Sequence, residues 1–150
     1  MVVYRLGKRE FIRDISGTRG LYGSAGWHEK GTRILYTSQT LSLAKMEILA
    51  NTRKIPRNYA ILILEVPSYI TYKELFIRNL PPNWKDFPHP KELVTFTNDW
   101  IKENQFLVMK VPSVHSPFES NFLFNPLHPS FEDMKIIDVM PHEFDQRLKD

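Results

Sequence analysis

The chain has 150 residues, 42% of them apolar and 25% charged, the balance of a globular protein large enough to bury a core and too small for two ordinary domains. Its 20 basic and 17 acidic residues leave a net charge of only +3, so the pI of about 9.1 comes without any basic run of the kind that marks a nucleic-acid arm. Cysteine is absent, which excludes disulfides, thiolate nucleophiles, zinc–thiolate sites and iron–sulfur clusters and assigns any chemistry to oxygen and nitrogen side chains.

The longest apolar run, Ala60–Leu64, is far short of the roughly 20 residues that span a bilayer. Charges at Arg5, Lys8, Arg9, Glu10, Arg13, Asp14 and Arg19 interrupt the first 20 residues and leave no secretory apolar core. The expectation is a cytoplasmic protein with no membrane partner. The small positive excess suits an anionic small molecule, an acidic protein partner, or a solvated surface with no charge-specific role.

In chain order, the first predicted element is a strand over Val2–Arg5. The segment Ile15–Gly31 then holds five of the 6 glycines, together with Arg19, Trp27 and His28. It reads either as a loop that wraps an anionic or aromatic ligand or as a mobile surface loop. A strand over Arg33–Thr37 leads into a helix over Thr40–Asn51, rich in Leu, Ala and Met. On that helix Glu47 falls between Leu43 and Ala44, on the apolar side. A carboxylate there must be paired or hydrogen-bonded, or else its stem packs while its head reaches solvent or an arginine.

Strands follow over Tyr59–Val66 and Tyr69–Phe76, then a helix over Pro90–Asn104 whose Leu93, Phe96, Thr97, Trp100 and Ile101 form one stripe. Strands over Phe106–Lys110, Asn121–Phe124 and Lys135–Val139 complete the pattern. The 11 prolines punctuate these short elements. Strands that outnumber helices without regular alternation predict an α+β domain over residues 1–150, with a mixed, mainly antiparallel, possibly split sheet and two principal helices. Neither common Gly-rich nucleotide fingerprint is present. Ser113, after Val111 and Pro112, lacks a Gly-x-Ser-x-Gly elbow and is either a ligand donor at a strand end or a turn serine. The five histidines show no i, i+4 pairing, and no metal site is expected.

An ordered set of segments resembles the RES domain, the toxin component of a bacterial toxin–antitoxin system. The set comprises VVYRL, DISGTRGLYG, Trp27 with HEKGTRILYTS, LSLAKMEILAN, Leu80–Trp84, VPSVHSPFESNFLFNPLHPSF and FDQRL, and runs from about residue 2 to 148. The resemblance implies an ADP-ribosyltransferase-like fold and an enzyme with no cofactor that takes NAD as substrate. Such a toxin cleaves the nicotinamide–ribose bond with water or phosphate as acceptor, or transfers ADP-ribose to a protein. It implies a helix-turn-helix antitoxin of the Xre/ParS type as partner, with a homo-oligomer compatible with that complex and no direct nucleic-acid binding. Glu47, Tyr36 and Ser113 match the family's catalytic positions, and Arg19, Gly26, Trp27, Arg33 and Asn121 are the expected NAD-binding residues. The family arginine that precedes the tryptophan is replaced here by Gly26, in Ser24-Ala25-Gly26-Trp27. Glycine cannot supply a guanidinium fork, so either Arg19 or Arg33 substitutes for it or the chain is a silent homologue that binds ligand and partner.

Overall fold

Short runs of β-branched and aromatic residues cannot satisfy their own backbone groups, so each must find a neighbouring strand. In the computed structural model, which describes residues 1–149, they do so as β1 (Val2–Lys8), β2 (Leu35–Ser38), β3 (Tyr59–Glu65), β4 (Tyr72–Glu74), β5 (Val108–Pro112), β6 (Ser120–Phe124) and β7 (Lys135–His142). Helix α1 (Leu41–Ala50) follows β2, and α2 (Glu92–Glu103) precedes β5. The described strands form a 7-stranded sheet in the order β4-β5-β6-β2-β1-β3-β7. Neighbours are antiparallel except β4 and β5, which run parallel. This is the expected α+β architecture. The sheet is continuous rather than split, but it opens between β1 and β2, which share one register position, Tyr4 opposite Ser38. Across that opening Arg5 Nη1 donates to the Tyr36 carbonyl at 3.0 Å, satisfying an acceptor that the ladder leaves free.

Several boundaries differ from the sequence pattern, for reasons that lie in the partner strand. β1 runs on to Lys8 because β3 pairs with it as far as Tyr59. β7 continues through Pro141 to His142 because it pairs only with β3, and an edge strand tolerates a missing N–H. β4 is shorter than its apolar run: a turn bonds Ile70 N–H to the Pro67 carbonyl, and a 3-10 turn begins at Ile77. α1 starts where Thr40 Oγ1 accepts from the Leu43 N–H at 3.1 Å, so the first residue of the predicted span is the N-cap and not part of the helix.

Alternation along the strands sorts their side chains between two faces. Val3, Leu35, Phe122 and Phe124 join an apolar cluster on one face with Ile12 and Met134. On the other face, Tyr4 and Leu6 pack with Ala44 and Ile48 of α1. Tyr36, Met109 and Leu123 pack there with Leu93, Phe96 and Trp100 of α2. The α2 stripe is thus a core face, and Trp100 Nε1 donates to the Phe106 carbonyl at 2.7 Å. The Gly-rich segment is folded back on itself: Gly31 N–H bonds the Gly20 carbonyl at 2.9 Å, and a Cβ on Gly20 would run into the Thr32 carbonyl. No helix among the described residues is long and apolar enough to cross a membrane.

Candidate active site

Both helices lie on the same face of the sheet, and a cleft of about 540 Å³ opens between them. Trp27, Tyr36, Glu47, Trp84 and Asn121 line it, with Arg53, Lys85, His89 and His115 as its basic groups. Glu47 sits one turn beyond the buried Leu43 and Ala44, so α1 carries its carboxylate to the edge of the core. There Glu47 Oε1 accepts from Ser113 Oγ at 3.1 Å and from Asn121 Nδ2 at 2.8 Å. His115 Nε2 stands 3.7 Å from Oε2. The glutamate is therefore hydrogen-bonded by neutral donors rather than paired with an arginine, and 27% of its side chain remains open to the cleft.

The donors are themselves held. Ser113 Oγ accepts from the N–H groups of His115 and Ser116 at 3.0 and 3.3 Å, which directs its own proton to Glu47. Ser38 Oγ donates to Asn121 Oδ1 at 2.7 Å, so the Asn121 amide is oriented with its nitrogen towards Glu47. The loop after Ser113 is closed by Glu119, whose carboxylate accepts from Ser116 Oγ and from Thr40 Oγ1. Those two hydroxyls hold its carboxyl below the ordinary range. Thr40 thus caps α1 and ties it to the loop that carries Ser113.

On β2, Tyr36 points into the cleft, and burial pushes its phenol above the ordinary value. Its hydroxyl lies 2.6 Å from His28 Nδ1, while His28 Nε2 lies 2.9 Å from the Gly23 carbonyl. A carbonyl only accepts, so Nε2 carries the proton and Tyr36 donates to Nδ1. Burial lowers the pKa of His28, which favours this neutral form.

Of the residues singled out from the sequence, Tyr36, Glu47, Ser113, Trp27 and Asn121 are brought together here. Arg19 and Arg33 are not. Arg19 lies on a 3-10 turn, Thr18–Leu21, and faces a separate cavity. Arg33 Nη1 donates to the Ser16 carbonyl and Thr18 Oγ1 at 3.2 and 3.4 Å. Arg33 is thus tied to the Gly-rich segment, and neither arginine lines the cleft of Glu47. A Cβ on Gly26 would stand 3.0 Å from the His89 ring, so a histidine from the loop before α2 fills that space. Ser38, His89 and His115 were not singled out, and His28 only as part of the Gly-rich segment. Ser38 was within reach of period-2 reasoning from Tyr36, whereas the others arrive through loops. Among the described residues, no cluster of three or more His, Asp or Glu could hold a metal ion.

Comparison with known proteins places this geometry in context. The chain is 29% identical to the "Prs ADP-ribosylating toxin" of a Sphingobium species, over 90% of this chain and 86% of that protein. It is 29% identical to "Toxin Res" of Pseudomonas putida, over 91% and 92% of the two chains. With "Toxin Res" of Yersinia enterocolitica it shares 27% identity over 99% and 100%. The model of the RES domain matches residues 2–146, and the chain belongs to that family.

Proposed function

We propose that this protein is an NAD-consuming toxin that breaks the bond between nicotinamide and ribose, with Glu47 as the catalytic carboxylate. The observation that carries this reading is the double hydrogen bond from Ser113 and Asn121 to one oxygen of Glu47, at the wall of a cleft also lined by Trp27 and Tyr36. In NAD the departing nicotinamide is a pyridinium. Its carbon–nitrogen bond pair returns to the ring nitrogen, and no acid is needed to protonate it. What the reaction does need is stabilisation of the positive charge that builds on the ribose, which a fixed carboxylate supplies. Glu47 Oε2, free of the Ser113 and Asn121 bonds, faces the ribose, while Oε1 anchors the group. Trp27 and Tyr36 provide the aromatic wall for the nicotinamide ring. Lys85, Arg53 and His89 are the groups available to the pyrophosphate, in place of the arginine absent at position 26.

The acceptor completes the reaction. Water gives ADP-ribose, nicotinamide and a proton; hydrogen phosphate gives ADP-ribosyl phosphate, nicotinamide and a proton. The relative named as an ADP-ribosylating toxin supports a second reading, in which a protein side chain takes the ADP-ribosyl group. A helix-turn-helix antitoxin of the Xre/ParS type is the partner that suits a toxin of this family. The test is to incubate the purified protein with NAD and follow nicotinamide release. Glu47→Gln keeps the shape and removes the charge, and turnover should fall by orders of magnitude in a folded protein. Near-normal turnover in that variant would overturn the assignment. Labelled NAD distinguishes the acceptors, since label on protein marks transfer and soluble label marks cleavage.

A further inference from the structure

When water attacks the ribose it must lose a proton, and Glu47 is already occupied. Its Oε1 is held by Ser113 and Asn121, and its Oε2 serves the ribose cation. We propose that His115 is the general base of this reaction and takes the water proton on Nε2. The inference rests on the reading of Glu47 as the catalytic carboxylate, and it commits the acceptor to water.

The other groups around the site are spent or unsuited. Tyr36 donates its proton to His28 Nδ1, and His28 Nε2 is turned to the Gly23 carbonyl. Glu119 is held by Ser116 Oγ and Thr40 Oγ1. Arg53 and Lys85 line the cleft as cations with no lone pair to offer. The His89 ring lies beside Gly26 and packs edge to face with Phe87, their centroids 5.4 Å apart.

His115 differs in both place and freedom. Its Nε2 stands 3.7 Å from Glu47 Oε2, beyond hydrogen-bond length, so it is next to the reacting oxygen without being bound by it. The residue is exposed and lines the cleft, where water reaches it. Its backbone is fixed, because the His115 N–H donates to Ser113 Oγ at 3.0 Å, so the serine that anchors Glu47 also sets the base. The pair suits the movement of charge as well. As the water oxygen bonds to the ribose carbon, positive charge leaves the ribose and reappears on the imidazole with the proton. Glu47 Oε2 thus exchanges one neighbouring cation for another, and a carboxylate beside an imidazolium stabilises it. The electron pair of the broken bond departs with nicotinamide, and His115 returns the proton to solvent. The products are ADP-ribose, nicotinamide and one proton.

The experiment follows nicotinamide release by the full chain in phosphate-free buffer, with and without sodium azide. His115→Ala keeps the backbone bond to Ser113, and turnover should fall by about 100-fold or more with an unchanged thermal midpoint. Azide is a nucleophile with no proton to lose, so it should restore most of that rate and yield ADP-ribosyl azide. It should not rescue Glu47→Gln, whose defect lies in the cation and not in the acceptor. His115→Gln, which fills the space without a basic nitrogen, should show the same loss and the same rescue. Near-parental or increased turnover in His115→Ala, or a loss that azide does not restore, would overturn the proposal and leave the reading of Glu47 intact. So would release by the parent protein that requires phosphate. No release by the parent under any condition would overturn the reading of Glu47 as well.

Discussion

Replacing Asn121 with alanine tests whether the orientation of Glu47, and not only its charge, matters. The substitution removes the 2.8 Å bond to Glu47 Oε1 and leaves the Ser38 hydroxyl without its Asn121 acceptor. A hydrogen bond to a charged group is worth about 1.5–3 kcal/mol, and about 1.4 kcal/mol corresponds to tenfold in rate. Because 27% of the Glu47 side chain is open and water can replace the lost donor, the lower half of that range applies, and nicotinamide release should fall about 10- to 40-fold. Ser113 holds the same oxygen, so Ser113→Ala and Asn121→Ala should not act independently. With both donors gone the carboxylate is unrestrained, and the double variant should lose a different amount from the product of the single losses. The assay is nicotinamide release under saturating NAD, with circular dichroism confirming the fold. Full turnover in Asn121→Ala, or strict multiplicativity of the two substitutions, would refute this account of Glu47.

Four further outcomes follow from the geometry. Glu47→Gln should reduce nicotinamide release by orders of magnitude while leaving the thermal unfolding midpoint close to that of the parent protein. Tyr36→Phe should destabilise the fold by about 1–3 kcal/mol, because it leaves Nδ1 of the buried His28 without its donor; denaturant unfolding measures this. Gly26→Arg alone should not raise NAD turnover, since the His89 ring occupies the space beside position 26, whereas Gly26→Arg combined with His89→Gly should turn over NAD faster than Gly26→Arg. Stability should fall as pH drops below about 6.5, because His28 and His142 have folded pKa values lowered by burial. Below the unfolded value the unfolded chain takes up protons that these two groups in the folded protein do not. A thermal midpoint unchanged between about pH 7 and 5 would contradict it.

Much of this architecture was legible along the chain. Each of the seven strands overlaps a run of β-branched or aromatic residues, and both helices overlap their predicted spans, because local propensity and punctuation by proline act over a few residues. Glu47 was legible as a carboxylate out of place on an apolar face, a signal that helical periodicity exposes directly. What serves that carboxylate was less so. Ser113 and Asn121 lie 66 and 74 residues away, and only strand pairing brings β5 and β6 beside the strand that leads into α1. The same holds for His89, whose position over Gly26 depends on how α2 docks on the sheet.

The arginines show the division most clearly. Composition established a cysteine-free chain with a small positive excess, and the ordered motifs established its family resemblance and the loss of an arginine at position 26. Neither reveals where a charge points. Arg19 and Arg33 are close to Trp27 in sequence yet work on the other side of the molecule, because a sheet separates side chains by alternation and a loop can carry neighbours to either face. Tertiary structure alone decided that Arg5 reaches the Tyr36 carbonyl, and that the cleft of Glu47 draws Arg53, Lys85, His89 and His115 to its walls. Sequence determines local conformation through short-range sterics and hydrogen bonding, whereas the position of a charge relative to a site is a property of the packed fold.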